Sequence, residues 1–203
     1  MKLIIATGNL HKIREYKAIL KQLFPTLDIY TLRDFPTYEA PPEDGISFED
    51  NAKIKALSAA KELKCLVLAD DSGLVIPALK GEPGVRSARY AGEQATDQDN
   101  RNKILSNLKD LPEKERVGYY ECAICIADET GILKSVRGFC EGFLLCEEKG
   151  GNGFGYDPLF IKYDYNKTFS QLDESIKNRI SHRRKALDKL LPLFESKLAL
   201  HEA

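Results

Sequence analysis

Apolar residues in the first third of the chain follow two patterns: short unbroken runs, and longer stretches in which they return every three or four positions. The run KLIIA (residues 2–6) reads as a short buried strand, and Ile13, Tyr16, Ile19, Leu20 and Leu23 then recur at helical spacing until Pro25 stops them. Residues 28–32 read as a second strand. SFED (residues 47–50) has the form of a capping box and opens an alanine-rich helix to residue 63, and the run CLVLA (residues 65–69) suits a third, buried strand. This β-α-β-α-β order calls for right-handed parallel crossovers. Residues 76–94, with Pro77, Gly81, Pro83, Gly84 and Gly92, read mostly as loop around the arginine-bearing segment VRSARY (residues 85–90). TDQD (residues 96–99) caps a helix to about residue 108, with Ile104, Leu105 and Leu108 on its buried side. Two long strands, 118–127 and 132–146, follow with a hairpin signal, DETG, between them. A short strand near 159–161 and a basic helical C-terminus from about Ser181 complete an α/β chain whose second half shifts to antiparallel sheet.

Composition narrows the function classes. At 203 residues the chain suits one domain, and 43% hydrophobic and 30% charged residues with a net charge of −1 fit neither a disordered chain nor a general nucleic-acid binder. A phosphate ligand therefore needs a local basic cluster. No apolar run approaches the roughly 18 residues of a membrane helix, and LIIA (residues 3–6) is too short for a signal-peptide core, so a cytoplasmic protein with no membrane partner is expected. Five cysteines at irregular spacing fit a reducing compartment. Cys122 and Cys125 lie three apart in a strand-like run, where their thiols point to opposite faces and make neither a redox pair nor a zinc knuckle.

Five constellations could carry chemistry. In LADDSGL (residues 68–74) two adjacent carboxylates and Ser72 stand where the apolar run ends, with Gly73 as a place for the chain to turn. Strand alternation sends only one of Asp70 and Asp71 into any one site, and spacing leaves open which. Thr7, Gly8, Asn9, Leu10, His11 and Lys12 form a strand-to-helix turn suited to phosphate through backbone N–H groups and the Lys12 charge, although Asn9 equally suits a helix N-cap. Glu43, in a proline-marked loop, could join Asp71 in a magnesium site, because Mg²⁺ takes one or two protein carboxylates and completes its shell with water and phosphate oxygens. GFGYDP (residues 153–158) puts glycines on both sides of Phe154, allowing close approach to a flat ligand. Lys177 and the run SHRRK (residues 181–185) put cations at a helix start, where they oppose the macrodipole unless something anionic or electron-rich lies nearby.

These segments occur together in one order: TGNLHKIRE, FEDNAKIKA, LADDSGL, GEPGVRSARYAG, GNGFGYDP and KNRISHRRKAL, spanning about residues 1–190. The chain resembles the inosine/xanthosine triphosphate pyrophosphatases, which remove non-standard purine triphosphates. The resemblance implies a two-lobed α/β fold around a long bent mixed sheet flanked by helices, a cleft between the lobes, a homodimer, and Mg²⁺-dependent conversion of ITP, dITP or XTP to the nucleoside monophosphate and pyrophosphate. It implies that Thr7, Gly8, Asn9, Leu10, His11 and Lys12 hold the triphosphate with Lys55. Glu43 and Asp71 would bind magnesium, and Asp71 would also activate the attacking water while Ser72 contacts substrate. Phe154 would stack on the base in a pocket shaped by Gly155, Tyr156 and Asp157, and Lys177, His182 and Arg183 would complete base recognition. The chain departs from the family pattern at Arg184, where a small residue is usual, and at Asn152, which interrupts a glycine run. A sensor that binds without cleaving, and an enzyme acting at the γ-phosphate, are the alternatives.

Overall fold

A computed structural model describes residues 1–202. Strand β1 (Lys2–Ile5) leads into helix α1 (Leu10–Leu23), β2 (Asp28–Thr31), α2 (Phe48–Leu63) and β3 (Leu66–Val75). Helix α3 (Asp97–Leu108), the long strands β4 (Val117–Asp128) and β5 (Gly131–Leu144), the short β6 (Phe160–Lys162) and helices α4 (Glu174–Ile180), α5 (His182–Asp188) and α6 (Leu191–Glu202) follow. The six strands form one mixed sheet in the order β2-β1-β3-β4-β5-β6. β1 is parallel to both β2 and β3, with Ile5 opposite Leu68, and β5 is antiparallel to β6.

Packing divides the chain into two compact units. The first comprises Met1–Asp71, Cys122–Gly138 and the chain from Arg183 on, and the second Ser72–Glu121 and Phe139–His182. In the first, the stripe Ile13, Tyr16, Ile19 and Leu20 of α1 packs with Leu68, Ile124, Leu190 and Phe194. In the second, Ile104 and Leu108 of α3 pack with Leu74, Tyr120, Phe160 and Phe169. The pattern along β4 records a change of surroundings: burial alternates up to Glu121, then is continuous over Cys122–Ala127. Cys122 meets Tyr16 of α1, whereas Cys125 feels the charges of Lys53 and Glu49 on α2, so the two thiols do diverge to opposite faces.

Two expectations are corrected. β3 does not end before the aspartates but runs through them to Val75, and Gly73 makes no turn. A Cβ at Gly73 would lie 2.1 Å from Ser87 Oγ and 2.8 Å from the Gly84 carbonyl oxygen; the glycine is needed for close approach, and Ser87 Oγ in turn accepts the Leu74 N–H at 3.0 Å. In addition, a separate seven-residue helix, α4, precedes the expected C-terminal one, with extended Ser181 between them.

Candidate active site

Within the first unit, Thr7, Gly8 and Asn9 follow β1, and α1 starts at Leu10. Asn9 is the N-cap: its Oδ1 accepts the N–H groups of His11 and Lys12 at 2.9 and 3.1 Å, while Thr7 Oγ1 accepts the Asn9 N–H at 3.3 Å. Part of the donor set expected to face phosphate is therefore used to shape the turn. Gly8 is exposed, and a Cβ there would meet nothing within 4 Å, so the backbone is open to a ligand. Lys12 is buried against Asp70, Nζ to Oδ2 at 2.9 Å.

Asp70 is fully buried and is the centre of an ionic cluster. Its Oδ2 also lies 3.8 Å from Arg183 Nε and 3.9 Å from Cys122 Sγ, and Arg183 NH1 donates to Glu15 Oε2 at 2.7 Å. Burial alone would raise the proton affinity of Asp70, but Lys12, Arg183 and Lys55 outweigh it and hold the carboxyl below its ordinary value. Burial, aided by Asp70, pushes the Cys122 thiol up to about 12, so it remains a donor.

Asp71 faces the other way. Its Oδ2 accepts from Asn51 Nδ2 at 2.8 Å, and Asn51 Oδ1 accepts the Gly45 N–H at 2.8 Å, which ties the loop carrying Glu43 to β3. Lys55 Nζ reaches Glu43 Oε2 at 3.0 Å. Burial raises the Asp71 proton affinity; Lys12, Lys55 and Asn51 oppose the rise and Glu43 adds to it. Among the described residues no group of three or more His, Cys, Asp or Glu side chains is assembled around a metal position. Glu43 and Asp71 are oxygen donors of the kind that suits a hard cation keeping waters and taking substrate oxygens, rather than one caged by protein.

Within the second unit, Ser72 stands half-buried on β3, and the turn after Gly153 carries the aromatic candidates. Gly153 has φ +78°, and a Cβ there would lie 2.2 Å from Asp157 Oδ2. That oxygen accepts the Phe154 N–H at 3.0 Å and pairs with Lys177 Nζ at 2.5 Å. Asp157 is therefore a turn-maker and a holder of Lys177, whose ammonium stands 4.8 Å over the Phe154 ring. Tyr156 is buried, its hydroxyl donating to the Ser87 carbonyl at 2.8 Å. The His182 ring stacks on Tyr120 at 4.8 Å and 10°, and Tyr120 OH donates to Asp157 Oδ1 at 3.3 Å. Asn152 is absorbed into a backbone clasp, its N–H donating to Ser170 O at 3.1 Å while Ser170 Oγ donates to its carbonyl. Arg184 pairs with Asp188 along α5 at 2.7 Å.

The candidates thus fall into two groups: Thr7–Lys12, Glu43, Lys55, Asp71 and Arg183 in the first unit, and Ser72, Phe154–Asp157, Lys177 and His182 in the second. Arg183, grouped by sequence with Lys177 and His182, gives its guanidinium to Glu15 and Asp70. Asn51, Glu15 and Tyr120 were not foreseen. A signal for Asn51 existed: positions 51, 52, 55, 56 and 59 form the buried face of α2, so Asn51 and Lys55 are polar residues on an alanine face. Most solvated helix lysines are like Lys53, which pairs with Glu49 at 2.6 Å on the outer surface.

A model of the Ham1 family matches residues 3–193. The chain belongs to the Ham1 family. A dITP/XTP pyrophosphatase of Protochlamydia amoebophila is 52% identical over 197 residues, covering 97% of this chain and 98% of that one. Among solved structures, the Staphylococcus aureus Ham1 protein is 37% identical with a TM-score of 0.84, covering 97% of this chain and 100% of its own. A HAM1 protein from Coxiella burnetii is 35% identical with a TM-score of 0.85, covering 97% and 99%. The Ham1 match takes in all six sequence segments that carried the resemblance, so the mixed sheet and its helices are those of this family.

Proposed function

We propose that this chain hydrolyses non-standard purine nucleoside triphosphates, of the ITP, dITP and XTP class, to the nucleoside monophosphate and pyrophosphate. The observation that carries this reading is the cluster in which Asp71, held by Asn51 and with its proton affinity raised by burial, stands with Glu43, Lys12 and Lys55 beside an open glycine turn. The relatives named dITP/XTP pyrophosphatase support the substrate class. Glu43 and Asp71 would hold Mg²⁺, which when bound offsets charge on the phosphate oxygens.

Asp71 orients the attacking water and takes its proton. The water oxygen forms a bond to the α-phosphorus as the α–β bridging bond breaks, and the electron pair leaves with pyrophosphate, whose charge Lys12 and Lys55 stabilise. Asn51 fixes the rotamer of Asp71. In the second unit Phe154 stacks on the base, and the donor groups of Lys177 and His182 favour a C6 oxygen over the amino group of adenine, because an unpaired donor facing a donor is penalised.

Incubation with dITP, ITP, XTP, GTP and ATP plus Mg²⁺, with product identification, tests the reading. Monophosphate plus pyrophosphate from the first three is the expected result. Orthophosphate release would assign the chemistry to the γ-phosphate, and tight binding without turnover would make the chain a sensor. A homodimer acting in the cytoplasm is part of the same proposal, and sedimentation equilibrium tests its stoichiometry. No helix among the described residues is long and apolar enough to cross a membrane.

A further inference from the structure

The start of helix α3 grips the turn that presents Phe154. Asp97, its first residue, accepts the Gly155 N–H through Oδ2 at 2.7 Å, and Arg101, one turn on, donates from NH1 to the Gly155 carbonyl at 2.9 Å. Both polar groups of one glycine, immediately after the aromatic residue, are thereby held by one helix. Gly155 has φ +59°, a left-handed conformation that leaves the turn dependent on outside bonds for its shape.

Arg101 is itself braced: Nε lies 3.0 Å from Glu148 Oε1, NH2 donates to Gln98 Oε1 at 2.7 Å, and Gln98 Nε2 donates to Glu148 Oε1 at 2.7 Å. The helix start is fixed in turn by the Thr96–Asp99 capping box. On the other side of the turn the Phe154 N–H is held by Asp157 and the Tyr156 hydroxyl by the Ser87 carbonyl. The ring of Phe154 thus stands on a loop whose freedom is removed residue by residue, and the α3 contribution comes from a segment that none of the proposed chemistry uses.

We propose that Asp97 and Arg101 are positioning residues for base recognition, acting through Gly155 on the orientation of the Phe154 ring. The proposal rests on the pyrophosphatase reading given above. Preorganisation of this kind acts on substrate binding: a stacking ring already in place loses no ordering free energy when the base arrives. The phosphate chemistry belongs to other residues, so the effect falls on KM and spares kcat.

The test is a double-mutant cycle on the full chain with dITP and Mg²⁺. Asp97→Ala should raise KM about tenfold, the size expected for losing a hydrogen bond to a charged group, with kcat within about twofold. Arg101→Ala should act in the same direction, and Asp97→Asn, which keeps an acceptor oxygen, should recover most of the loss. In a Phe154→Ala background the Asp97→Ala change should shrink to less than about twofold, because the ring it positions is gone. A full tenfold effect in that background, or a fall in kcat with KM unchanged, overturns the clamp. An exposed residue that merely stabilised α3 would lower the melting temperature without this coupling. Wild-type protein that leaves dITP intact overturns the pyrophosphatase reading and the clamp with it, whereas wild-type turnover with an additive cycle overturns the clamp alone.

Discussion

Replacing each aspartate of the pair by asparagine separates their two roles. Asp70 is fully buried, with Lys12 Nζ at 2.9 Å and Arg183 Nε at 3.8 Å. Asp70→Asn keeps the shape and removes the charge on which both cations depend. Breaking a buried ion pair from one side costs about 3–5 kcal/mol. Arg183 keeps Glu15 at 2.7 Å, which places the cost near about 3 kcal/mol at the lower end of that range. For a chain of this size about 2–4 °C is lost per kcal/mol, so the melting temperature should fall by about 6–12 °C. Asp71 accepts from Asn51 Nδ2 at 2.8 Å, and burial raises its proton affinity, so its charge does not stabilise the fold. Asp71→Asn should melt within about 2 °C of wild type, in line with a change of less than about 1 kcal/mol, and should lose pyrophosphate release from dITP. Thermal melts and a coupled pyrophosphate assay on both variants decide the matter. A stable, inactive Asp70→Asn beside an unstable, active Asp71→Asn would show that the roles are exchanged.

Three further outcomes follow from the same geometry. Arg183→Ala leaves Glu15 and Asp70 buried with less compensation, so the melting temperature should drop, and the ITP:ATP ratio of kcat/KM should fall; an unchanged ratio confines Arg183 to the ion cluster. Phe154→Ala should raise KM for dITP by about 5- to 150-fold, the range corresponding to about 1–3 kcal/mol of base stacking, and an unaltered KM would remove the ring from the base site. Asn51→Ala severs the link between Gly45 and Asp71, and the Mg²⁺ concentration for half-maximal activity should rise about 10- to 100-fold, as for other residues that orient metal ligands. A magnesium titration that does not move would limit Asn51 to packing.

Periodicity made most of the fold legible. The α1 stripe, the Ser47 and Thr96 caps and the long strands on either side of the Glu129-Thr130 turn lie where their sequences put them, because each signal is local. The course of β3 was not legible. Two adjacent carboxylates normally end a buried strand, and here they do not, because Lys12 and Arg183 come from helices far away in sequence to meet one and Asn51 meets the other. The Arg183–Glu15 contact joins residues 168 positions apart, beyond the reach of any pattern. For the candidate site, the Thr7–Lys12 turn and the Phe154 turn could be located as turns from glycine placement. The tasks of Asp157 and Tyr156 within the turn could not, since a carboxylate or a hydroxyl reads alike whether its partner is a ligand or the chain itself.

The uninterrupted run of β3 through Asp70 and Asp71 makes the separation of their duties a matter of parity. Successive side chains on a strand point to opposite faces, and β3 is held between β1 and β4, so it has no freedom to rotate one carboxylate toward the other. Loss or gain of a single residue between Leu66 and Asp70 would turn every following side chain to the other face. It would aim the carboxylate proposed to be catalytic into the Lys12–Arg183 cluster and the ion-paired one at Asn51. A change of two residues would restore the faces but shift both carboxylates about 6–7 Å along the strand, away from Lys12, Arg183 and Asn51, so the length of β3 ahead of Asp70 is fixed by the partners of its side chains.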